Sequence, residues 1–121
     1  MTGASSGLGR HFAITLARAG AHVGVAARRE DKVAGVVSEI VEEGGEATPI
    51  FMDVVNRESI ADAFEVMQQV SGAVTILVNN AGIVGREMAL DLPDDIFDDI
   101  MRTNLKGAWN VSRECAERMI K

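Results

Sequence analysis

At 121 residues the chain has room for one domain, and with 12 Lys and Arg against 18 Asp and Glu its net charge of −6 leaves no basic run for a nucleic-acid surface. The single cysteine, Cys115, cannot form an internal disulfide, which fits a reducing compartment. No apolar run approaches the ~18 residues of a membrane span and the N-terminus carries no signal pattern, so a cytoplasmic, soluble protein without membrane or metal partners is expected.

Chain order begins with Thr2-Gly3-Ala4-Ser5-Ser6-Gly7-Leu8-Gly9, a glycine-rich turn running straight into an amphipathic segment from Arg10 to Ala19. Glycines this dense cost backbone entropy and are kept where positive φ or close approach is required. A helix that starts at the end of such a turn presents unpaired N–H groups and the positive end of its dipole, an anion site. The spacing is Gly-x-x-x-Gly-x-Gly, one residue longer than the general dinucleotide fingerprint, and no Gly-Lys-Ser/Thr follows to make a P-loop. An ordinary glycine turn with Ser5 or Ser6 capping the helix is the plain alternative.

Leu8, Phe12 and Leu16, with Ala13 and Ala17 beside them, predict the apolar face of that first helix, and Gly20 its end. His22 to Ala27 reads as a buried strand whose end opens onto a site at Arg28-Arg29; His22 itself reads as a strand-end residue. Val33, Val36, Val37, Ile40 and Val41 predict a second helix closed by Gly44-Gly45. Ala47 to Met52 is a strand, placed at a sheet edge by Pro49. Asn56 is a natural N-cap for a third helix whose inner face is Ile60, Ala63, Phe64, Met67 and Val70, ending near Gly72. Val74 to Val78 reads as a strongly buried strand, followed at once by Asn79-Asn80-Ala81-Gly82. After Pro93 a long helix is predicted to the end, with Ile96, Phe97, Ile100, Met101, Leu105, Ala108 and Trp109 on its apolar side and Asn104 and Gly107 interrupting it. Cys115 on that helix reads as a small buried hydrophobe, because no histidine or motif surrounds it. The alternation predicts an α/β fold: a doubly wound parallel sheet of Rossmann type, three layers α/β/α, with residues 1–121 forming one domain.

Thr2-Gly3-x-x-x-Gly7-x-Gly9, Asp53-Val54, Asn79-Asn80-Ala81-Gly82 and Asn104-Leu105-x-Gly107, in that order, resemble the short-chain dehydrogenase/reductase family, in particular its 3-oxoacyl-acyl-carrier-protein reductase-like members. The resemblance covers the whole chain and implies a nicotinamide-dependent oxidoreductase acting on a small-molecule carbonyl or secondary alcohol. It implies that Gly3, Gly7 and Gly9 let the backbone approach a pyrophosphate, with Ser5, Ser6 and Leu8 in the same turn. Asp53 would accept from the adenine amino group and Val54 pack beside it, although a loop aspartate that caps a turn fits the spacing equally well. Asn80, Ala81 and Gly82 would lie under the cofactor, Asn80 on its ribose side. Asn104 would kink its helix and free a carbonyl that holds a relay water, a solvent-facing asparagine being the plain alternative.

The departures carry as much information. The sequence contains no tyrosine, so the family's Tyr-x-x-x-Lys pair and its serine would lie beyond Lys121, and its first strand would precede Met1. The expectation is therefore a partial NAD(P)-binding domain, with the first strand and the C-terminal half missing, from a parent that is a homodimer or homotetramer. A non-catalytic nucleotide-binding module that keeps the turn is the second reading, and a Rossmann methyltransferase the third. The cofactor expectation is NADP(H) over NAD(H): at the end of the second strand Ala27 takes the place of the acid that would repel a 2′-phosphate, and Arg28 follows it. Solvated strand-end charges are the alternative for both arginines, and Ser6, before Gly7, is not the second basic residue that many NADP-preferring members carry there.

Overall fold

Two strands and the helices around them follow from the glycine punctuation and the apolar stripes. The computed structural model describes residues 1–120. Its elements are α1 (Gly7–Arg18), β1 (His22–Ala27), α2 (Glu30–Glu42), β2 (Glu46–Phe51), α3 (Arg57–Ser71), α4 (Asp94–Ile100), a π-helical segment (Met101–Gly107) and α5 (Ala108–Met119). Strands β1 and β2 pair in parallel, His22 opposite Glu46 through Ala27 opposite Phe51. A parallel pair needs a crossover, and α2 supplies it.

The sheet separates two cores. On one face Ala13, Ile14 and Ala17 of α1 and Val33, Val36 and Ile40 of α2 pack on Val23 and Val25. On the other, Ile60, Ala63, Phe64 and Met67 of α3 and Val111 and Cys115 of α5 pack on Ala26, Ile50 and Met52. This is the three-layer α/β/α arrangement. Asn56 caps α3 through its side-chain oxygen, which accepts from the Glu58 and Ser59 N–H groups at 3.0 and 3.1 Å. Pro49 sits at the edge as expected. The Met52 N–H donates to the Ala27 carbonyl at 3.1 Å, which sets the alternation so that odd-numbered positions of β2 turn their N–H away from β1. The missing donor of Pro49 therefore falls where no partner needs it.

Val41 and Val70, expected on the apolar faces of α2 and α3, are exposed, because the buried faces close at Ile40 and Met67, and three larger expectations need correction. Residues 74–78 do not form a strand. A buried strand needs a ladder on each side, and between β1 and this segment only Met1 and Thr2 intervene. Thr2 makes an isolated parallel bridge to Ala26, and its N–H donates to the Val78 carbonyl at 3.0 Å. The rest of the gap is a cavity of about 390 Å³ bordered by Gly24, Met67 and residues 74–78, and Ile76 stays 71% exposed. Second, Leu8 and Phe12 are exposed, and the inner face of α1 is Gly9, Ala13, Ile14 and Ala17. Small residues at i, i+4 and i+8 let α1 come close to the sheet, whereas the larger Leu8–Phe12 stripe lies outward. Third, Phe97, Met101, Leu105 and Trp109 form an exposed stripe, and the inner face of the last helix is Gly107, Asn110, Val111 and Cys115.

The Met1 ammonium is drawn into the gap, where it donates to the Gly24 carbonyl at 2.9 Å, and burial lowers its pKa from 8.0 to about 6. A folded-state pKa below the unfolded one penalises the protonated terminus, so stability is full above pH 8 and falls as pH drops toward 6. At 1.36 kcal/mol per unit, the 121-residue chain with a free amino group at Met1 should lose about 3 kcal/mol between pH 8.5 and 5.5 in urea titrations. N-terminal acetylation should abolish that part of the pH dependence; an unchanged slope would contradict the buried placement of the ammonium.

Candidate functional site

The carboxyl ends of β1 and β2 point at the glycine-rich turn, and between them opens a cleft of about 630 Å³. Open α/β sheets hold ligands at this edge of the strands. The cleft is lined by Gly3, Ser5, Ser6, Leu8 and Gly9 of the turn, by Arg28 and Arg29 after β1, by Asp53 and Val54 after β2, and by Asn80, Ala81 and Gly82. Eleven of the thirteen residues expected from the sequence thus border one space. Gly7 and Asn104 are outside its lining.

Local geometry explains why the turn is built of glycine. Gly3 and Gly7 have φ of 64° and 54°, values that disfavour any side chain. A Cβ on Gly3 would sit 2.7 Å from Ala81 Cα, and one on Gly9 would run into the Gly3 carbonyl oxygen. The first backbone bond of α1 runs from Arg10 N–H to Ser6 O, so the N–H groups of Gly7, Leu8 and Gly9 have no partner within the helix. Ser6 occupies the N-cap position yet makes no side-chain cap bond. That removes the plain reading of the serine as a helix cap.

The serines face an arginine instead. Arg29 Nη2 donates to Ser5 Oγ at 3.1 Å and to Ser6 Oγ at 2.9 Å. Among the described residues neither Arg28 nor Arg29 forms an ion pair with a carboxylate. By contrast the arginines of α1 are paired, Arg10 with Glu39 and Arg18 with Glu43. Two guanidinium groups without a carboxylate partner at one rim, beside unpaired helix N–H groups, make an anion site.

Asp53 uses one carboxylate oxygen locally. Its Oδ1 accepts from Val55 N–H at 3.1 Å, while its own N–H donates to Ser59 Oγ at 3.0 Å. The Asn80 amide nitrogen is turned toward the back of the glycine turn, donating to the Thr2 and Gly3 carbonyls at 3.2 and 3.1 Å. Asn104 holds the neighbouring loop at two points: its Oδ1 accepts from Ile83 N–H and its Nδ2 donates to the Ile83 carbonyl, both at 2.8 Å. An asparagine amide here copies a strand edge. The π-helical stretch around it accommodates the poor helix former and puts Gly107 within reach of Val54, where a Cβ would lie 2.8 Å from Val54 Cγ2.

Thr2, Arg29 and Thr103 border the cleft and were not singled out as site residues by sequence reasoning. Thr2 is the instructive one. It is 2% exposed, and its hydroxyl accepts from both Asn80 and Ala81 N–H at 3.0 Å. The signal in the sequence was the Thr-Gly pair that opens the turn. Cys115 is buried and burial raises its thiol pKa, which keeps it an inert packing residue.

With this geometry in view, the family model described as short chain dehydrogenase matches residues 1–121. The chain belongs to the short-chain dehydrogenase family. It is 34% identical over 122 residues to the 3-oxoacyl-acyl-carrier-protein reductase FabG of Staphylococcus epidermidis, covering 100% of this chain and 50% of that protein. A short-chain type dehydrogenase/reductase from Mycobacterium marinum superposes with a TM-score of 0.93 at 39% identity, covering 98% of this chain and 48% of that one. A gluconate 5-dehydrogenase from Burkholderia cenocepacia, in complex with NADP and tartrate, superposes with a TM-score of 0.89 at 35% identity, over 98% and 47% of the two chains. The chain spans about half the length of these relatives.

Thr2→Val keeps the volume of the side chain and removes the acceptor of two N–H groups. Unpaired buried donors cost ~1 to 3 kcal/mol each, so the variant should be destabilised by roughly 2 to 4 kcal/mol in urea, with Thr2→Ser recovering most of it. Equal stability of Thr2→Val and wild type would show that the hydroxyl is not the joint described above.

Proposed function

We propose that this chain is the cofactor-binding part of an NADP(H)-dependent oxidoreductase that acts on a small-molecule carbonyl or secondary alcohol. The observation that carries the reading is the pair of arginines at the end of β1, free of carboxylate partners and facing a turn whose glycines leave room for backbone approach. Arg28 stands at the 2′-phosphate of the adenosine ribose, where a guanidinium gives a charge-assisted, bidentate contact. The N–H groups of Gly7 to Gly9 and the hydroxyls of Ser5 and Ser6 hold the pyrophosphate. Asp53 receives the adenine amino group on the carboxylate oxygen not spent on Val55, and Val54 packs beneath the ring. Ala81 and Gly82 lie under the ribose next to the nicotinamide, with the Asn80 side-chain oxygen toward it. The NADP complex of the Burkholderia cenocepacia relative supports this choice of cofactor.

When bound, the nicotinamide supplies or receives the hydride. Asn104 is a positioning residue: it locks Gly82 and Ile83 to the last helix, and the π-helical turn it sits in frees a backbone carbonyl that holds a water for proton relay. The tyrosine that would donate the proton, and the lysine four residues on that would lower its pKa, are not among these residues, so residues 1–121 by themselves bind cofactor and do not turn over substrate. The whole protein is cytoplasmic and assembles as a homodimer or homotetramer, the exposed stripe from Phe97 to Trp109 lying on the helix that would meet a second copy.

The test is kinetic. In the protein expressed from its full reading frame, Arg28→Ala should raise the NADPH KM roughly tenfold to a hundredfold, the worth of ~1.5 to 3 kcal/mol, and leave the NADH KM nearly unchanged. Equal losses for the two cofactors would remove Arg28 from the 2′-phosphate.

A further inference from the structure

Among the described residues the buried polar side chains Thr2, Ser5 and Thr48 each have a hydrogen-bond partner, whereas Asn110, 9% exposed, has none. No side-chain nitrogen or oxygen is both fully occluded and unpaired, so the Asn110 amide opens onto the cavity of about 50 Å³ that it lines between α3 and α5. An amide brings two donors and an acceptor, and an asparagine inside a helix is a poor helix former, so a partner for it is wanted there. Across the cavity stands Arg57, the first residue of α3. It is exposed and makes no hydrogen bond or ion pair among the described residues. The helix dipole disfavours a cation at that position. The acids that border the same space are already committed: Glu117 Oε1 accepts from Arg113 Nε at 3.0 Å and Glu114 Oε1 from Arg118 Nε at 2.9 Å. Arg57 and Asn110 are left over, and both can donate.

We propose that Arg57 and Asn110 form a second anion site, which holds a phosphate-sized oxyanion between the Arg57 guanidinium and the Asn110 amide N–H groups, against Ile60. The guanidinium supplies the charge and the buried amide the directed donors. An anion there also meets the positive end of the α3 dipole and bridges it to Arg57, which turns an unfavourable cation into a binding group. Volume limits the occupant. The cavity exceeds the ~10 to 15 Å³ that a single water needs and falls far below the ~300 Å³ of a pocket for a small organic ligand. A cation is disfavoured, because two arginines border the space and both carboxylates are paired. The site shares no lining residue with the cofactor cleft and does not rest on the NADP(H) reading. Three residues before Arg57 and Asn110, Val54 and Gly107 are in contact, which holds the starts of α3 and α5 together.

The experiment follows the melting temperature of the full-frame protein while sodium phosphate is titrated against sodium chloride at equal ionic strength. The protein carries Arg28→Ala and Arg29→Ala throughout, so that the cofactor cleft offers phosphate no guanidinium. Phosphate should raise the melting temperature along a saturating curve, and chloride should not. Adding Arg57→Gln at its exposed position should leave the melting temperature in chloride unchanged and move the phosphate midpoint roughly tenfold to a hundredfold higher. Arg57→Lys should fall between, since an ammonium keeps the charge and loses the fork. Asn110→Asp keeps the shape of the side chain, sets a negative charge at the site and should remove the phosphate response. Were that variant not to fold, the two Arg57 variants decide by themselves. No rise specific to phosphate would overturn the proposal and leave water in the cavity. An equal rise with and without Arg57→Gln would overturn it as well, showing a general effect of the salt or an adventitious ion only.

Discussion

The structure depends on a splice between the first three residues and residues 78–81. Thr2 N–H donates to Val78 O, the Thr2 hydroxyl accepts from Asn80 and Ala81, and the Asn80 amide donates to the Thr2 and Gly3 carbonyls. These bonds join segments almost eighty residues apart, and they substitute for a ladder where no strand forms. They set the position of the glycine turn, and through it the N-terminus of α1, relative to the loop that Asn104 holds from the other side. Losing the joint would leave buried donors and carbonyls unpaired on both sides, which is why a small hydroxyl outweighs many larger contacts here.

From that joint the cleft follows. The turn fixes where the unpaired N–H groups of α1 lie, and β1, paired with Thr2 through Ala26, fixes where Arg28 and Arg29 begin. Ion pairs settle which cations remain available. Arg10 and Arg18 are consumed in tying α1 to α2, and Arg118 ties α5 to α3 through Glu65 and lies 5.9 Å from the Phe64 ring. The rim of the cleft carries two arginines without a carboxylate partner, Arg28 and Arg29, in a chain of net charge −6. A ligand with a negative group gains most there.

Much of this was legible in the sequence, and the exceptions have physical causes. β1 was read from His22 to Ala27 and lies there, because a continuous apolar run bounded by Gly20 and by two arginines leaves little choice. Pro49 marked an edge, since a residue without an N–H is tolerated only where no ladder needs one. The strand at 74–78 was misread because apolar, β-branched residues describe a side chain's preference, whereas a strand also requires a neighbour, and the neighbour is a property of other residues. The stripes of α1 and the last helix were drawn through the largest apolar residues, yet close packing on a sheet selects the smallest, Gly9, Ala13 and Gly107. Asp53 shows an even case: spacing allowed both a turn cap and an adenine contact, and the bond to Val55 displays the cap while the second oxygen stays available. Arg29 was in view only as the neighbour of Arg28, because sequence adjacency does not tell which of two side chains crosses a cleft.

On the proposed function, the turn and the strand-end arginines together hold one phosphorylated dinucleotide. A crystal structure of the full-frame protein grown with NADP tests it most directly. The pyrophosphate should lie over the N–H groups of Gly7 to Gly9 and the 2′-phosphate within hydrogen-bond distance, about 2.7 to 2.9 Å, of guanidinium nitrogens at the end of β1. Both arginines directed into solvent, with the 2′-phosphate unpaired or the dinucleotide seated away from the glycine turn, would contradict it.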